Sequence, residues 1–225
     1  MSDKEDDMIV VENLVKSYDR TKAPIINGAN LRVGKGEMVI LMGRSGCGKT
    51  TLLNLIAGLD RPTSGKIIVN GTSLEDMSED ELARFRLLNI GFVFQDYNLI
   101  SDLTILDNVM LPLKLAGEKK TDRAMRLLEI FDITDLARMK ANTVSGGEAQ
   151  RAAIARAIAN KPKVLLADEP TGNLDAENEI NVMNHFKIIQ DMFDTTIIIA
   201  THNNGMRSYG NRTIMLDSCD SSAGL

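Results

Sequence analysis

The stretch "GRSGCGKT", residues 43–50, fits the pattern G-x-x-x-x-G-K-[ST]. It stands directly after a run of strand formers and directly before a helical run, which is the context that confirms the motif. Its chemistry is phosphate binding. Gly43, Gly46 and Gly48 let the backbone N–H groups of Arg44, Ser45, Cys47 and their neighbours wrap a phosphate chain. Lys49 reaches the outer phosphates, Thr50 offers a hydroxyl to Mg²⁺, and Thr51 completes the cofactor-binding set. Lys49 is expected to face solvent when no ligand is bound. The Cys47 thiol, at a variable position and with no chemistry assigned, is expected to lie close to bound phosphate.

A second stretch, "VLLADEP", sets Asp168 and Glu169 at the C-terminal end of a buried strand, where open α/β sheets bind ligands. An acid after four apolar residues is expensive to bury without a cation, so Asp168 is a candidate ligand to Mg²⁺, through water. Glu169 beside it is the candidate to orient or deprotonate an attacking water. Gln95 and His202 each end an apolar strand. Gln95 is a candidate for contact with the metal or the water, and His202 for a hydrogen bond to a terminal phosphate. Tyr18 closes the first strand and is a candidate to stack on adenine. His185, inside a helix, is read as structural.

A third stretch, "TVSGGEAQR" at 143–151, pairs Ser145 with Glu148 in the S-x-x-E capping pattern. Gly146 and Gly147 are then expected to leave the first N–H groups uncovered, and an open helix start is an anion site. A second S-x-x-E pair, Ser78 to Glu81, is a control: Glu79 and Asp80 fill its first turn and would repel an anion. One chain thus carries two phosphate sites about a hundred residues apart.

The elements that must position these residues follow from hydrophobic patterning. Residues 8–18, 36–43, 65–71, 90–95, 162–170, 195–202 and 212–217 read as strands. Residues 49–59, 78–88 and 175–193 read as helices, the last with Asp175 as N-cap. From about 100 to 160 the chain loses strand character and reads helical. Strands alternating with helices at the two ends indicate an α/β sheet with parallel strands, and the helical middle is an insertion into it.

Composition narrows the class. The 225 residues are 44% hydrophobic and 25% charged, ordinary for a globular chain; with 4% aromatics and no Trp the core must be aliphatic. A net charge of −5 argues against nucleic acid as the main partner, because phosphate neutralisation needs clustered Lys and Arg. Cys47 and Cys219 match no metal spacing and are read as free thiols. The acidic start "MSDKEDDM" has no apolar stretch of signal-peptide type. No apolar run is long enough to cross a bilayer, so a soluble protein is expected whose role at a membrane goes through a partner.

Together these stretches resemble the nucleotide-binding subunits of ATP-binding-cassette (ABC) transporters over nearly the whole chain. "GRSGCGKT" is similar to the Walker A motif, "VLLADE" to Walker B and "VSGGE" to the family signature. Gln95 falls at the Q-loop, "NLD" (173–175) at the D-loop, His202 at the H-loop and Tyr18 at the A-loop. "FVFQDYNLISDLTILDNVMLPL" with "DEPTGNLD" resembles lipoprotein-releasing and macrolide-export ATPases. The chain departs from the family at Val144 and Glu148, at Asn203, where an acid is usual, and in its last stretch, "DSCDSSAGL".

The resemblance implies a phosphate-loop NTPase core of the ABC type over residues 1–225. It has a mostly parallel central sheet, an N-terminal antiparallel β subdomain and a helical subdomain inserted at about 97–160. It implies ATP and Mg²⁺ as cofactors, with Glu169, His202 and Gln95 catalytic and Thr50, Gln95 and Asp168 around the metal. It implies two copies pairing head to tail, each ATP lying between Walker A of one and Ser145, Gly146 and Gly147 of the other. Membrane-spanning permease subunits would hold the pair on the cytoplasmic face of the cell membrane. Leu99, Ile100, Leu103 and Ile105 either line a groove for that partner or are plain core packing. Two alternatives remain open here: a soluble ABC ATPase acting on DNA or ribosomes, and a phosphate-loop kinase, which leaves the "SGG" element unexplained.

Overall fold

The computed structural model describes residues 7–19 and 21–216; residues 1–6 of the acidic start, Cys219 and the terminal "DSCDSSAGL" lie outside the described residues. The chain runs β1 (Asp7–Lys16), β2 (Ile26–Gly34), β3 (Met38–Met42), α1 (Lys49–Ile56), β4 (Ser64–Val69), β5 (Thr72–Ser73), α2 (Glu79–Asn89) and β6 (Ile90–Val93). Then come α3 (Ile105–Leu115), α4 (Asp122–Ile130), α5 (Gly146–Ala157), β7 (Val164–Asp168), α6 (Ala176–Phe193), β8 (Thr196–Thr201) and β9 (Arg212–Met215).

Five strands form a parallel sheet in the order β6-β7-β8-β3-β9, and four form an antiparallel sheet in the order β2-β1-β4-β5. The central strands β7, β8 and β3 are buried along their whole length and read as apolar runs because both their faces are covered, whereas the edge strands β6 and β9 are only partly buried. In β3, Met38, Ile40 and Met42 join one core with α3, α4, α5 and α6, while Val39 and Leu41 join a second core with α1, α2 and the antiparallel sheet. β7 and β8 alternate in the same way: Leu165 and Ile197 face the first core, Leu166 and Ile198 the second.

Between β6 and β7 the described chain has no strand, only α3, α4, α5 and short 3-10 turns. β2 was not foreseen. Its sequence, INGANLRVG, buries only Ile26, Leu31 and Val33, too sparse an alternation to stand out; its partner β1, paired along Asp7–Lys16, supplies the order. Ile105 proves to be core, fully buried, and Leu99 packs against that core. Ile100 is exposed and Leu103 half-buried, and an open groove of about 310 Å³ that includes none of these four is lined by Leu87, Phe92, Phe94, Leu111, Leu115 and Arg156 among others.

Candidate active site

The phosphate loop joins β3 to α1. Gly43 must be glycine, because a Cβ there would lie 2.5 Å from Cys47 Sγ and 2.6 Å from the Leu216 carbonyl. Gly48 caps α1 in the left-handed region at φ 103°, with no side chain on the helix's first N–H groups and no acid in its first turn. That end of α1 is therefore left as a positive dipole end for an anion. In front of it lies a cavity of about 570 Å³, lined by Ser45, Gly46, Gly48, Lys49, Thr50, Thr51, Gln95, Glu169, His202 and Ile25. Five separate sequence stretches, at Ile25, the loop 45–51, Gln95, Glu169 and His202, are thus brought to one place.

Lys49 does not face solvent. It is 7% exposed, and its Nζ donates to the Gly43 carbonyl at 2.9 Å and the Arg44 carbonyl at 3.4 Å. The same Nζ lies 3.7 Å from Glu169 Oε1. With no phosphate present the ammonium satisfies itself on the loop's own carbonyls, since a buried charge must find partners. Cys47 also departs from expectation: it is free and buried, and its side chain belongs to the core behind the loop rather than to the cavity lining. Arg44 is exposed beside the cavity.

Glu169 has an unusual backbone for a non-glycine residue, with φ 45°. Its N–H donates to the Ala200 carbonyl at 2.9 Å, and its own carbonyl accepts from Gly172 N at 3.1 Å. Left-handed geometry away from glycine is a strained choice that surrounding structure must hold, and it concentrates at functional sites. Glu169 Oε1 lies 3.0 Å from His202 Nδ1. Asp168, one residue earlier, closes β7 beside Ala200 of β8. Its Oδ1 is buried with no hydrogen-bond partner. Burial pushes its carboxyl above the usual carboxylate range; a hydrogen bond from Thr50 pulls the other way, Glu169 adds to the rise, and Lys49 opposes it.

Tyr18 does not line the cavity. Its hydroxyl donates to Asp60 Oδ2 at 2.8 Å, Lys16 Nζ sits 4.6 Å from the ring centroid, and the ring is largely exposed. Partial burial, with the Asp60 hydrogen bond next, raises its phenol.

Ser145, Gly146 and Gly147 do not line this cavity. The capping box forms as the spacing predicts: Ser145 N donates to Glu148 Oε2 at 2.7 Å, and Glu148 N to Ser145 Oγ at 3.4 Å. The box at Ser78 forms too, with Glu79, Asp80 and Glu81 in its first turn. One expectation fails. Gly146 is exposed but Gly147 is buried, and a Cβ on it would lie 2.6 Å from Asn178 Oδ1. The start of α6 packs across it, so only the outer glycine is uncovered.

Several positioning residues escaped sequence reasoning. Gln150 is fully buried and donates from Nε2 to the Pro170 carbonyl at 2.7 Å, tying α5 to the segment after Glu169. Arg156 donates to the Tyr97 carbonyl at 2.9 Å and also to that of Asn98, fixing the segment after Gln95. Asn108, fully buried, accepts from Ile100 N at 2.8 Å. Polar residues on the buried face of an apolar-patterned helix were the one available signal.

A phosphate loop, an uncapped helix start and a Lys–Glu–His cluster at the ends of parallel strands define a nucleotide-hydrolysing enzyme of the phosphate-loop class. The family model described as ABC transporter matches residues 26–172. The chain is 42% identical over 210 residues to the lipoprotein-releasing system ATP-binding protein LolD of Bacteroides thetaiotaomicron, covering 92% of this chain and 95% of that protein. It is 40% identical over 218 residues to an ABC transporter ATP-binding protein of Methanocaldococcus jannaschii, 93% of each chain. Among solved structures it is similar to a dimeric ABC transporter cassette, with TM-score 0.86 and 38% identity over 93% of this chain and 94% of that one. It is also similar to a dimeric post-hydrolysis cassette bound to ADP and Pi, with TM-score 0.87 and 36% identity over 95% and 97%. The chain belongs to the ABC transporter family. It is an ATPase, and it supplies ATP binding and hydrolysis to a membrane transporter.

Proposed function

We propose that two copies of this chain pair head to tail and close on two ATP molecules. Phosphates lie on the loop 43–51 and Lys49 of one copy, and on Ser145 and the Gly146 N–H of the other. The observation that carries this reading is the split within one chain: the loop, Gln95, Glu169 and His202 share a cavity from which the exposed signature is missing. Glu169 takes the proton of the attacking water, with His202 hydrogen-bonded to its Oε1. Lys49, freed from the Gly43 and Arg44 carbonyls, passes to the phosphates. Tyr18 stacks on the adenine.

The donor set suits Mg²⁺. Among the described residues no three His, Cys, Asp or Glu gather as a cage, and Mg²⁺ is ordinarily held by one or two carboxylates and substrate phosphates. The Thr50 hydroxyl, Gln95 and the orphaned Asp168 oxygen are the residues that would hold it. Bound there, it supplies positive charge against the β- and γ-phosphates.

No helix among the described residues is long and apolar enough to cross a membrane. The apolar groove around Phe92, Phe94, Leu111 and Leu115 receives the membrane-spanning partner, on the cytoplasmic face. Closure of the pair, transmitted through that groove, drives the partner's movement. The relatives' names make release of lipoproteins the leading cargo chemistry.

The test is Glu169→Gln. It preserves shape and removes a base and a negative charge, so turnover falls at least about a hundredfold, the range of general-base loss. ATP then holds two chains together, seen as a dimer by size-exclusion chromatography. Wild-type turnover in this variant ends the assignment.

A further inference from the structure

His202 is 69% exposed in its side chain, and its hydrogen bond runs to Glu169 Oε1. An exposed imidazole is not held by packing, so its place depends on how firmly the backbone at 202–203 is fixed. That backbone is fixed through Asn203. Its N–H donates to Thr201 Oγ1 at 3.1 Å and its Oδ1 accepts from Gly205 N at 2.9 Å. Its Nδ2 donates to Glu179 Oε1, on the first turn of α6. The same oxygen accepts from Thr171 Oγ1 at 3.2 Å. Thr171 is buried, two residues after Glu169. One carboxylate oxygen therefore joins the segment after His202, the segment after Glu169, and the helix that Asp175 of "NLD" caps.

The chemistry of this junction depends on residue type. A carboxylate only accepts hydrogen bonds, so Glu179 requires donors from both neighbours, and Asn203 supplies one where the resembled family usually has an acid. An Asp at 203 would set two carboxylates in contact, and like charges at that range repel.

We propose that Asn203, Glu179 and Thr171 form a clasp of positioning residues that holds His202 against Glu169 and ties the pair to α6. The proposal rests on the assignment of Glu169 and His202 to hydrolysis. The clasp touches no phosphate, so its loss acts on the chemical step rather than on ATP binding.

The test is a polarity-reversal cycle on the full chain. Asn203→Asp is expected to lower kcat about tenfold, a modest misplacement, with KM for ATP changed less than about twofold. Adding Glu179→Gln restores a donor–acceptor pair in the opposite sense, Gln to Asp, while Thr171 keeps an amide oxygen to donate to. The double variant is expected to recover to within about threefold of wild type, a coupling that independent sites would not show. Wild-type kcat in Asn203→Asp, a loss confined to KM, or a double variant no better than the single one overturns the clasp. If Asn203→Asp does not fold, Glu179→Ala carries the test: kcat falls at constant KM, and an unchanged kcat overturns it. Glu169→Gln runs alongside. Full turnover there overturns the site itself, whereas a dead Glu169→Gln with an intact Asn203→Asp overturns the clasp alone.

Discussion

Asp168 and Lys49 show how a charged residue behaves at a site built for an ionic ligand. Burial makes the charged form of Asp168 costly, and no hydrogen bond reaches its Oδ1. Asp168→Asn keeps the shape and removes that cost at neutral pH. The nucleotide-free protein is expected to melt about 3 °C higher, the shift that about 1 kcal/mol gives in a domain of this size, while Mg²⁺-dependent hydrolysis is lost. A lower melting temperature would show the charge to be compensated. Lys49 behaves oppositely, since its Nζ satisfies two carbonyls and lies near Glu169. Lys49→Ala strips those acceptors of their donor, so it weakens ATP binding and also costs the free protein about 1–2 kcal/mol. Scanning calorimetry without nucleotide measures the second effect, and an unchanged transition would contradict the buried Lys49.

At the scale of elements, α6 joins the lobes. It starts over Gly147 of α5, carries Glu179, and buries Val182, Met183, Phe186 and Ile189 against the parallel sheet and the helical lobe. His185 packs beside Phe131, ring centroids 5.0 Å apart, with its Nδ1 buried and unpartnered. Burial, then the Arg151 charge, depresses its pKa, against a smaller rise from Asp132. The sign follows. Above about pH 6.5, the ordinary value for histidine, both states are neutral and the burial is without charge cost. As pH falls through that value the unfolded chain takes the proton first, and stability is lost until folded His185 also titrates. The melting temperature is expected to fall between about pH 7 and pH 5, and less steeply in His185→Gln. Parallel slopes in the two proteins would remove His185 as a source of acid sensitivity.

For the whole molecule the decisive matter is the proposed head-to-tail pairing, in which the signature and the phosphate loop of one chain would serve different nucleotides. Lys49→Ala and Ser145→Arg each break both composite sites of a homodimer. Mixed, they form heterodimers in which one site joins an intact loop to an intact signature. ATP-dependent heterodimers or recovered hydrolysis are expected on mixing; neither signal, with both variants folded, would mean that each chain serves its own nucleotide.

The sequence by itself determined the chemistry. Phosphate-loop spacing, the acid pair after a buried strand and the capping box are local patterns, and local patterns survive in one dimension. It also determined the central parallel strands, because a strand covered on both faces reads as an apolar run; the edge strands β6 and β9, only partly buried, were legible from their shorter strand-forming stretches. It did not reveal β2, whose order comes from pairing with β1 rather than from its own residues. Nor did it show that Lys49 folds back on its loop, that Asn178 covers Gly147, or that Gln150, Arg156 and Glu179 hold the site's segments in place. Each of those depends on which groups are left unpaired when distant segments meet. A buried donor or acceptor must find a partner in three dimensions, and spacing along the chain does not say which partner arrives.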